Sequence, residues 1–194
     1  GIALATMFGI LSHYDLKSMS EGQRYHHIIE AMRHAYRDRA EYLGDPDHIA
    51  VPVDKLLSEG HIRSKLEWIR RDEATPSASL PPVPVEGARG TDTTHFSILD
   101  GEGNRVSATL SINYPFGSGY VIPGTGILLN DEMDDFSAKP GSPNAYGLVG
   151  AEANAIAPGK RPLSSMSPTF LEHEDKLVIL GTPGGSRIIT MVLL

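Results

Sequence analysis

Residues 90–97 read Gly-Thr-Asp-Thr-Thr-His-Phe-Ser, and the pattern of the chain changes within them. A proline-rich segment ends there, and polar and apolar residues then alternate as in a strand. Paired threonines are ordinary first residues of a strand, because β-branched side chains favour strands. They also suit a precursor that cleaves itself after Asp92. The freed α-amine of the first threonine has a reference pKa of roughly 7.7–8.0, so it could act as general base for the hydroxyl of the same residue.

Composition limits the class of protein. The 194 residues are 40% hydrophobic, enough for one domain or one domain with a helical appendage. The net charge of −7 argues against a nucleic-acid partner. Cysteine is absent, which excludes disulfides and thiolate chemistry and fits any compartment. No run approaches the roughly 18–20 apolar residues of a membrane span. Because the chain opens on Gly-Ile-Ala-Leu and closes on an apolar run without a stop signal, we expect an internal fragment of a longer protein.

The first part of the chain, residues 1–73, has helical periodicity. Ser20 and Gln23 have the spacing of a capping box, and apolar residues follow at helical intervals until Gly44-Asp45-Pro46 ends the pattern. Residues 74–92 contain four prolines among small residues, which is typical of a linker. The expected helices are Ile2–Leu11, a long helix from the capping box to Gly44, and two shorter helices near Val53–Ser58 and His61–Arg71.

The second part, residues 93–194, has strand periodicity, so the sequence predicts an α+β fold. Asp100–Asn104 is a turn signal between two strands. In the second of these strands apolar residues share one face, and Ser107, Thr109, Ser111 and Asn113 share the other. Such a polar face is either solvated or, if the strands pair, lines a site beside Thr93. Thr169–Glu172 and Lys176–Leu180 predict a second strand pair, and the apolar end predicts a helix.

Three loops carry groups capable of chemistry. Gly184-Gly185 precedes the last predicted helix, where backbone N–H groups could hold an oxyanion, although a simple turn that needs positive φ is the favoured interpretation of the pair taken alone. The acidic loop 130–135 could bind a substrate ammonium or be a solvated turn, and it lacks the spacing of a calcium loop. The loop 162–168 offers serine hydroxyls to a carboxylate, or is an ordinary Ser-Pro turn. His26, His27 and Glu30 share a helix, but no second motif completes a metal site, and a surface helix is the favoured interpretation.

Four segments in order resemble the γ-glutamyltranspeptidase family. They are Thr93–Ser97, Asn130–Pro140, Arg161–Pro168 and Gly184–Arg187, with Glu41–Pro46 as a further similarity before the linker. The resemblance covers nearly the whole chain. It implies an N-terminal nucleophile hydrolase with an αββα sandwich, made as a precursor that splits between Asp92 and Thr93. Residues 1–73 would then end the large subunit, 74–92 would be the linker, and 93–194 would start the small subunit.

The resemblance also assigns roles to individual residues. Thr93 would be the nucleophile, Ser111 its hydrogen-bond partner, and Gly184 and Gly185 the oxyanion donors. The substrate groups would be held by Asn113, Glu132 and Asp135 for the α-amine, by Ser164 and Ser165 for the α-carboxylate, and by Tyr146 as the gating aromatic of a lid loop. The family arginine that clamps the α-carboxylate would lie in a part of the large subunit that this sequence does not include.

The function implied is γ-glutamyl transfer and hydrolysis. The donors would be glutathione and other γ-glutamyl amides, and the acceptors amino acids, peptides or water, with no cofactor or metal and no nucleic acid. A periplasmic or secreted location is what the resemblance suggests. One alternative is a related acylase that acts on glutaryl β-lactams or on poly-γ-glutamate, although such substrates without an α-amine would make little use of Glu132 and Asp135. The other is a non-catalytic scaffold that keeps the fold.

Overall fold

A computed structural model describes residues 1–76, 79, 93–142 and 150–194. Within these residues the first part of the chain is helical and the second is built on two β-hairpins, so the predicted α+β class is confirmed. None of the described helices is long and apolar enough to cross a membrane. The elements are α1 (Ile2–Leu11), α2 (Glu21–Tyr42), α3 (Val53–Leu56), α4 (Glu59–Leu66), β1 (Thr93–Leu99), β2 (Arg105–Ser111), β3 (Thr169–His173), β4 (Lys176–Leu180) and α5 (Ile188–Leu193).

Helix α2 begins at the predicted capping box. The backbone N–H of Ser20 donates to Gln23 Oε1 at 3.2 Å, and the N–H of Gln23 donates to Ser20 Oγ at 3.4 Å. These two bonds satisfy N–H groups that the first turn of a helix leaves without partners. The helix ends at Tyr42, and Gly44 follows where a Cβ atom would overlap the carbonyl oxygen of Ala153. Glycine is therefore required for the chain to leave α2 along this path.

Helices α3 and α4 are shorter than the sequence predicts. Helix α4 ends at Leu66 instead of Arg71, because the N–H groups of Trp68 and Ile69 bond to carbonyls three residues back and tighten the chain into turns. This turn buries Ile69 against Ile10 and Ile62. Tertiary packing of one isoleucine thus overrides the local helical pattern.

Helix α1 packs against both parts of the chain. It is apolar around most of its surface, and Ala3, Leu4 and Met7 pack against Ala35 of α2 and Ile189 of α5. A helix that is apolar on all sides is stable only when neighbours cover it. The core therefore joins residues from before and after the proline-rich segment, most of which lies outside the described residues.

The two hairpins meet through a polar face. In the first hairpin β1 and β2 are antiparallel with Thr93 opposite Ser111, and β3 pairs with β4 in the second. Ser97 Oγ donates to the carbonyl of Ile179 at 3.2 Å, and Ser107 Oγ donates to that of Leu180 at 3.1 Å. The hydroxyl face of the first hairpin thus packs along β4. Its apolar face, which includes Phe96 and Leu110, is exposed among the described residues.

Candidate active site

The hairpin register places Thr93 against Ser111. The two residues are cross-strand partners, and Thr93 Oγ1 lies 3.0 Å from Ser111 Oγ. Ser111 Oγ also accepts the backbone N–H of Asn113 at 3.0 Å. The oxygen of Ser111 is therefore held by a backbone N–H, and the Thr93 hydroxyl has a partner in a defined position. This pairing follows from strand periodicity and the turn at Asp100–Asn104.

Most of the predicted site residues line one cleft. Thr93 and Ser111 are at one side of it, and side chains from three separate loops complete it. Met166, Ser186 and Ile188 also line the cleft without having been predicted as site residues, and Gly184 adjoins it through Gly185. Asp92 and Tyr146 lie outside the described residues. The predicted residues in the cleft are Thr93, Ser111, Asn113, Glu132, Asp135, Ser164, Ser165 and Gly185.

The acidic side of the cleft contains two interacting carboxyl groups. Glu132 and Asp135 lie on a single 3-10 turn, Glu132–Asp135, and their side chains are hydrogen-bonded. Burial, together with the charge of Glu132, raises the pKa of Asp135 to about 7, while the nearby Arg39 guanidinium opposes that rise. Burial also raises the pKa of Glu132. Two partly buried carboxyl groups this close together suit a ligand ammonium, whose charge would favour their ionised forms.

Asn113 supports this acidic loop from the hairpin. It is 6% exposed and has a φ of 73°, a conformation that asparagine tolerates better than most residues. Its Nδ2 donates to the carbonyl of Asp131 at 3.2 Å. The chain therefore bends at Asn113, two residues after β2, so that its amide side chain reaches the loop.

The serine loop, residues 162–168, presents two hydroxyls whose oxygens are already accepting hydrogen bonds. Ser164 Oγ accepts the backbone N–H of Met166 at 3.1 Å, and Ser165 Oγ accepts Nη2 of Arg39 at 3.0 Å. The loop is anchored by Arg161, whose backbone N–H and guanidinium bind Asp45. These bonds hold the pKa of Asp45 far below its ordinary value. The carboxylate of Asp45 is therefore ionised whenever the protein is near neutral pH.

The glycine pair has the backbone conformation that glycine alone adopts readily. Gly184 has a φ of 144° and Gly185 a φ of 58°, and a short 3-10 turn, Gly185–Arg187, leads into α5. Tyr36 on α2 donates its hydroxyl to the carbonyl of Ser186 at 2.5 Å. This hydrogen bond ties the glycine loop to α2, and Gly185 lines the cleft.

Sequence reasoning missed the residues of α2 and its C-terminal loop that support the cleft. Tyr36, Arg39 and Asp45 contact loops that lie 116 to 150 residues further along the chain. A signal was present at Arg39, which is a charged residue on the face of α2 that also buries Ala31 and Ala35. A cation on an apolar face indicates a partner elsewhere in the fold.

The arrangement can support acyl transfer. The cleft brings a paired hydroxyl together with carboxyl groups, serine hydroxyls and the backbone of Gly185. A hydroxyl nucleophile with polar groups around it is what attack on a carbonyl requires. Among the described residues, no group of three or more histidine, aspartate or glutamate side chains could hold a metal ion. His26 and His27 instead bond to the backbone carbonyls of Arg70 and Gln23.

Comparison with known proteins gives the family. The chain belongs to the gamma-glutamyltranspeptidase family, whose sequence profile matches residues 1–194. It is 46% identical over 196 residues to the glutathione hydrolase proenzyme of Escherichia coli (strain K12), covering 100% of this chain and 34% of that protein. The chain thus spans about a third of the length of the curated relatives it matches.

The solved structures similar to this chain include an acylase and a transpeptidase. A cephalosporin acylase from Bacillus halodurans superposes with a TM-score of 0.74 at 27% identity, covering 99% of this chain and 32% of that one. An acivicin-inhibited gamma-glutamyltranspeptidase superposes with a TM-score of 0.50 at 60% identity, covering 52% of this chain and 54% of that one. The first of these similarities extends over nearly all of the fold described above.

Proposed function

We propose that the full-length protein transfers and hydrolyses γ-glutamyl groups through an ester on Thr93. The observation that carries the proposal is the single cleft in which the Thr93–Ser111 hydroxyl pair faces the carboxyls of Glu132 and Asp135. A γ-glutamyl group has an α-ammonium at one end and an acyl carbon three carbons away. The carboxyls match its ammonium, and the hydroxyl is the group that would attack its acyl carbon.

Maturation would come first. The hydroxyl of Thr93 attacks the carbonyl carbon of Asp92, the peptide C–N bond breaks, and the nitrogen takes up the proton to become the free amine of Thr93. Water then opens the resulting ester and leaves Asp92 as a carboxylate. The product is a large subunit that contains residues 1–73 and the linker 74–92, and a small subunit that begins at Thr93.

Catalysis would reuse the same hydroxyl. Its oxygen attacks the γ-carbonyl carbon, its proton passes to the α-amine of Thr93, and the backbone N–H groups of Gly184 and Gly185 receive the oxyanion. One oxyanion donor of this kind is worth roughly a hundred- to thousandfold in rate. The amine leaving group departs with the proton. Water or an acceptor amine, such as an amino acid or peptide, then releases the γ-glutamyl group from the ester.

The substrate would be oriented by its α-carbon substituents. Asn113, Glu132 and Asp135 would hold the ammonium, and Ser164 and Ser165 would donate to the carboxylate. Tyr146, outside the described residues, would cover the pocket. The αββα sandwich of the N-terminal nucleophile hydrolases is the architecture we propose for the full-length protein, and we propose a periplasmic or secreted location from the family alone.

The test begins with self-cleavage. Full-length wild type should yield two pieces, the smaller one beginning Thr-Thr-His-Phe-Ser, as read by intact mass and N-terminal sequencing. Thr93→Ala should remain one chain and fail to hydrolyse γ-glutamyl p-nitroanilide, because both reactions need the same hydroxyl. Thr94→Ala is the matched control, since Thr94 is exposed and pairs with Leu110 away from the cleft. Turnover by an unsplit Thr93→Ala protein would refute the mechanism.

An acylase is the second candidate, favoured by the fold similarity to a cephalosporin acylase. A glutaryl donor has the carboxylate and the acyl carbon but lacks the α-ammonium. Comparing kcat/KM for glutaryl and γ-glutamyl p-nitroanilide separates the two functions, and the carboxyl pair predicts a preference for the γ-glutamyl compound. A preference for the glutaryl compound would transfer the assignment to acylase.

A further inference from the structure

We propose that Arg39 is a positioning residue for the carboxylate of the donor substrate and that it acts by fixing the hydroxyl of Ser165. The inference rests on the proposed function and deepens it. It concerns a buried cation in the first part of the chain, on helix α2, for which the sequence predicts no role in the site.

The geometry places Arg39 directly behind the serine loop. The residue is 7% exposed on α2, and its Nη2 lies 3.0 Å from Ser165 Oγ. Ser165 is half-buried and lines the cleft. A ligand in the cleft would therefore meet the serine hydroxyl, with the guanidinium on the other side of the serine oxygen.

The chemistry of the two groups sets the direction of the hydroxyl. A guanidinium only donates hydrogen bonds, so the Ser165 oxygen must accept in this contact. The hydroxyl hydrogen of Ser165 is then available to a different acceptor. The oxygen of Ser164 likewise accepts a hydrogen bond, from the backbone N–H of Met166, which leaves its hydroxyl hydrogen for another acceptor. The loop consequently offers two O–H donors, which match the two oxygens of a carboxylate.

The charge of Arg39 adds to this effect. An arginine remains protonated even where burial lowers its pKa, as it does here. A serine oxygen that accepts from a cation becomes a better donor through its own hydrogen, because hydrogen bonds in a chain polarise one another. Ser164 accepts a neutral N–H from Met166, so Ser165 should be the stronger of the two donors.

A competing explanation must be separated from this one. Arg39 also interacts electrostatically with Asp135, so its loss could act on the ammonium side of the cleft. Loss of a buried cation could also disturb the fold. Neither effect would depend on whether residue 165 has a hydroxyl, whereas the proposed role depends on it entirely.

A double-mutant cycle in the full-length protein makes that distinction. Arg39→Gln should lower kcat/KM for γ-glutamyl p-nitroanilide roughly ten- to hundredfold, chiefly through KM, since a charged hydrogen bond is lost. In a Ser165→Ala background the same change should cost several-fold less than in the wild type, because the part that acts through the hydroxyl is already lost and only the part that acts through Asp135 remains. In an Asp135→Asn background the part that acts through Ser165 should remain.

Lys65→Gln is the matched control for burial of a cation. Lys65 is 8% exposed and binds Asp38 of α2 at 2.7 Å, away from the cleft. Lys65→Gln should change kcat/KM by the same factor in the wild-type and Ser165→Ala backgrounds. Splitting at Thr93 reports whether each variant is folded. If Arg39→Gln does not split, the cycle is run with Arg39→Lys, which keeps the charge and should lose less.

The outcomes are distinct. Equal losses for Arg39→Gln in the wild-type and Ser165→Ala backgrounds would overturn the inference, and so would an unchanged KM in the single variant. If the wild type hydrolyses only the glutaryl anilide, the proposed function fails by itself. The cycle is then measured with that substrate, whose carboxylate is the group that would meet the same hydroxyl.

Discussion

The carboxyl group of Asp135 is subject to opposing influences from its neighbours. Burial and the adjacent Glu132 favour its neutral form, whereas the guanidinium of Arg39 favours its anion, and the outcome is a pKa of about 7. A ligand ammonium would add a second cation and complete the ionisation. Binding and deprotonation at this residue are thus linked.

This linkage predicts how donor affinity depends on pH. A carboxyl with a raised pKa of about 7 is neutral below that pH and anionic above it, so KM for γ-glutamyl p-nitroanilide should fall as pH rises from about 6 to about 7.5. Asp135→Asn should remove most of this dependence and raise KM roughly ten- to hundredfold at the upper pH. The measurement is KM against pH for both proteins. A constant ratio between the two KM values across this range would contradict the assignment.

At the scale of elements, helix α2 and the loop after it support two of the loops that form the cleft. Tyr36 binds the carbonyl of Ser186 and Arg39 binds the hydroxyl of Ser165, while Asp45 binds Arg161 at the start of the serine loop. The helix itself begins at a well-formed capping box. A long helix fixed at its start thus provides a rigid base for segments that have little regular structure of their own.

The sequence predicts the local parts of this arrangement and misses the long-range parts. The capping box at Ser20 and the strands and turns of the two hairpins follow from spacing and turn residues, whereas Ser111 was named as the partner of Thr93 by the family resemblance. The contacts made by Arg39 and Asp45 bridge more than a hundred residues, and no local pattern encodes such a pairing. The family resemblance indicated Glu41–Pro46 as a motif but gave it no partner.

The polar contact between the hairpins predicts a sensitive glycine. A Cβ atom on Gly181 would overlap the ring of His95, which is held between the hydroxyls of Thr109 and Ser97. Gly181→Ala should therefore displace β1 relative to the chain that leads to Gly185, lowering kcat and destabilising the fold by about 1–3 kcal/mol.

The measurement for this glycine is urea unfolding together with kcat for γ-glutamyl p-nitroanilide. Gly101→Ala is the control, because that glycine lies in the turn of the hairpin that contains His95 and a Cβ atom there meets nothing within 4 Å. Wild-type behaviour of Gly181→Ala in both measurements would show that the His95 contact does not set the spacing of the hairpins.

At the scale of the whole molecule, the two parts of the chain are joined by both apolar and charged contacts. Helix α1 packs its Met7 and Leu4 beside Ile189 of α5, and Asp45 is bound by Arg161 from the other part. Burial of such apolar surface is the main source of association free energy between protein segments. These contacts do not depend on an intact peptide bond at Thr93.

We therefore predict that splitting leaves the two pieces associated. The large and small subunits of the full-length protein should co-elute on gel filtration in native buffer and separate only in denaturant. Asp45→Asn, which removes the charge that Arg161 binds, should lower the denaturant concentration at which they separate. Separate elution of the wild-type pieces without denaturant would contradict the prediction.

The bond between Arg39 and Ser165 has a consequence for directed evolution of substrate range. A library restricted to residues 162–168 would vary the serine hydroxyls while leaving the buried guanidinium behind them unchanged. Removing the hydroxyl deprives the guanidinium of this hydrogen-bond acceptor. The effects of substitutions at positions 39 and 165 should therefore depend on each other, and libraries that vary both positions together are better suited to a search for donors without a carboxylate.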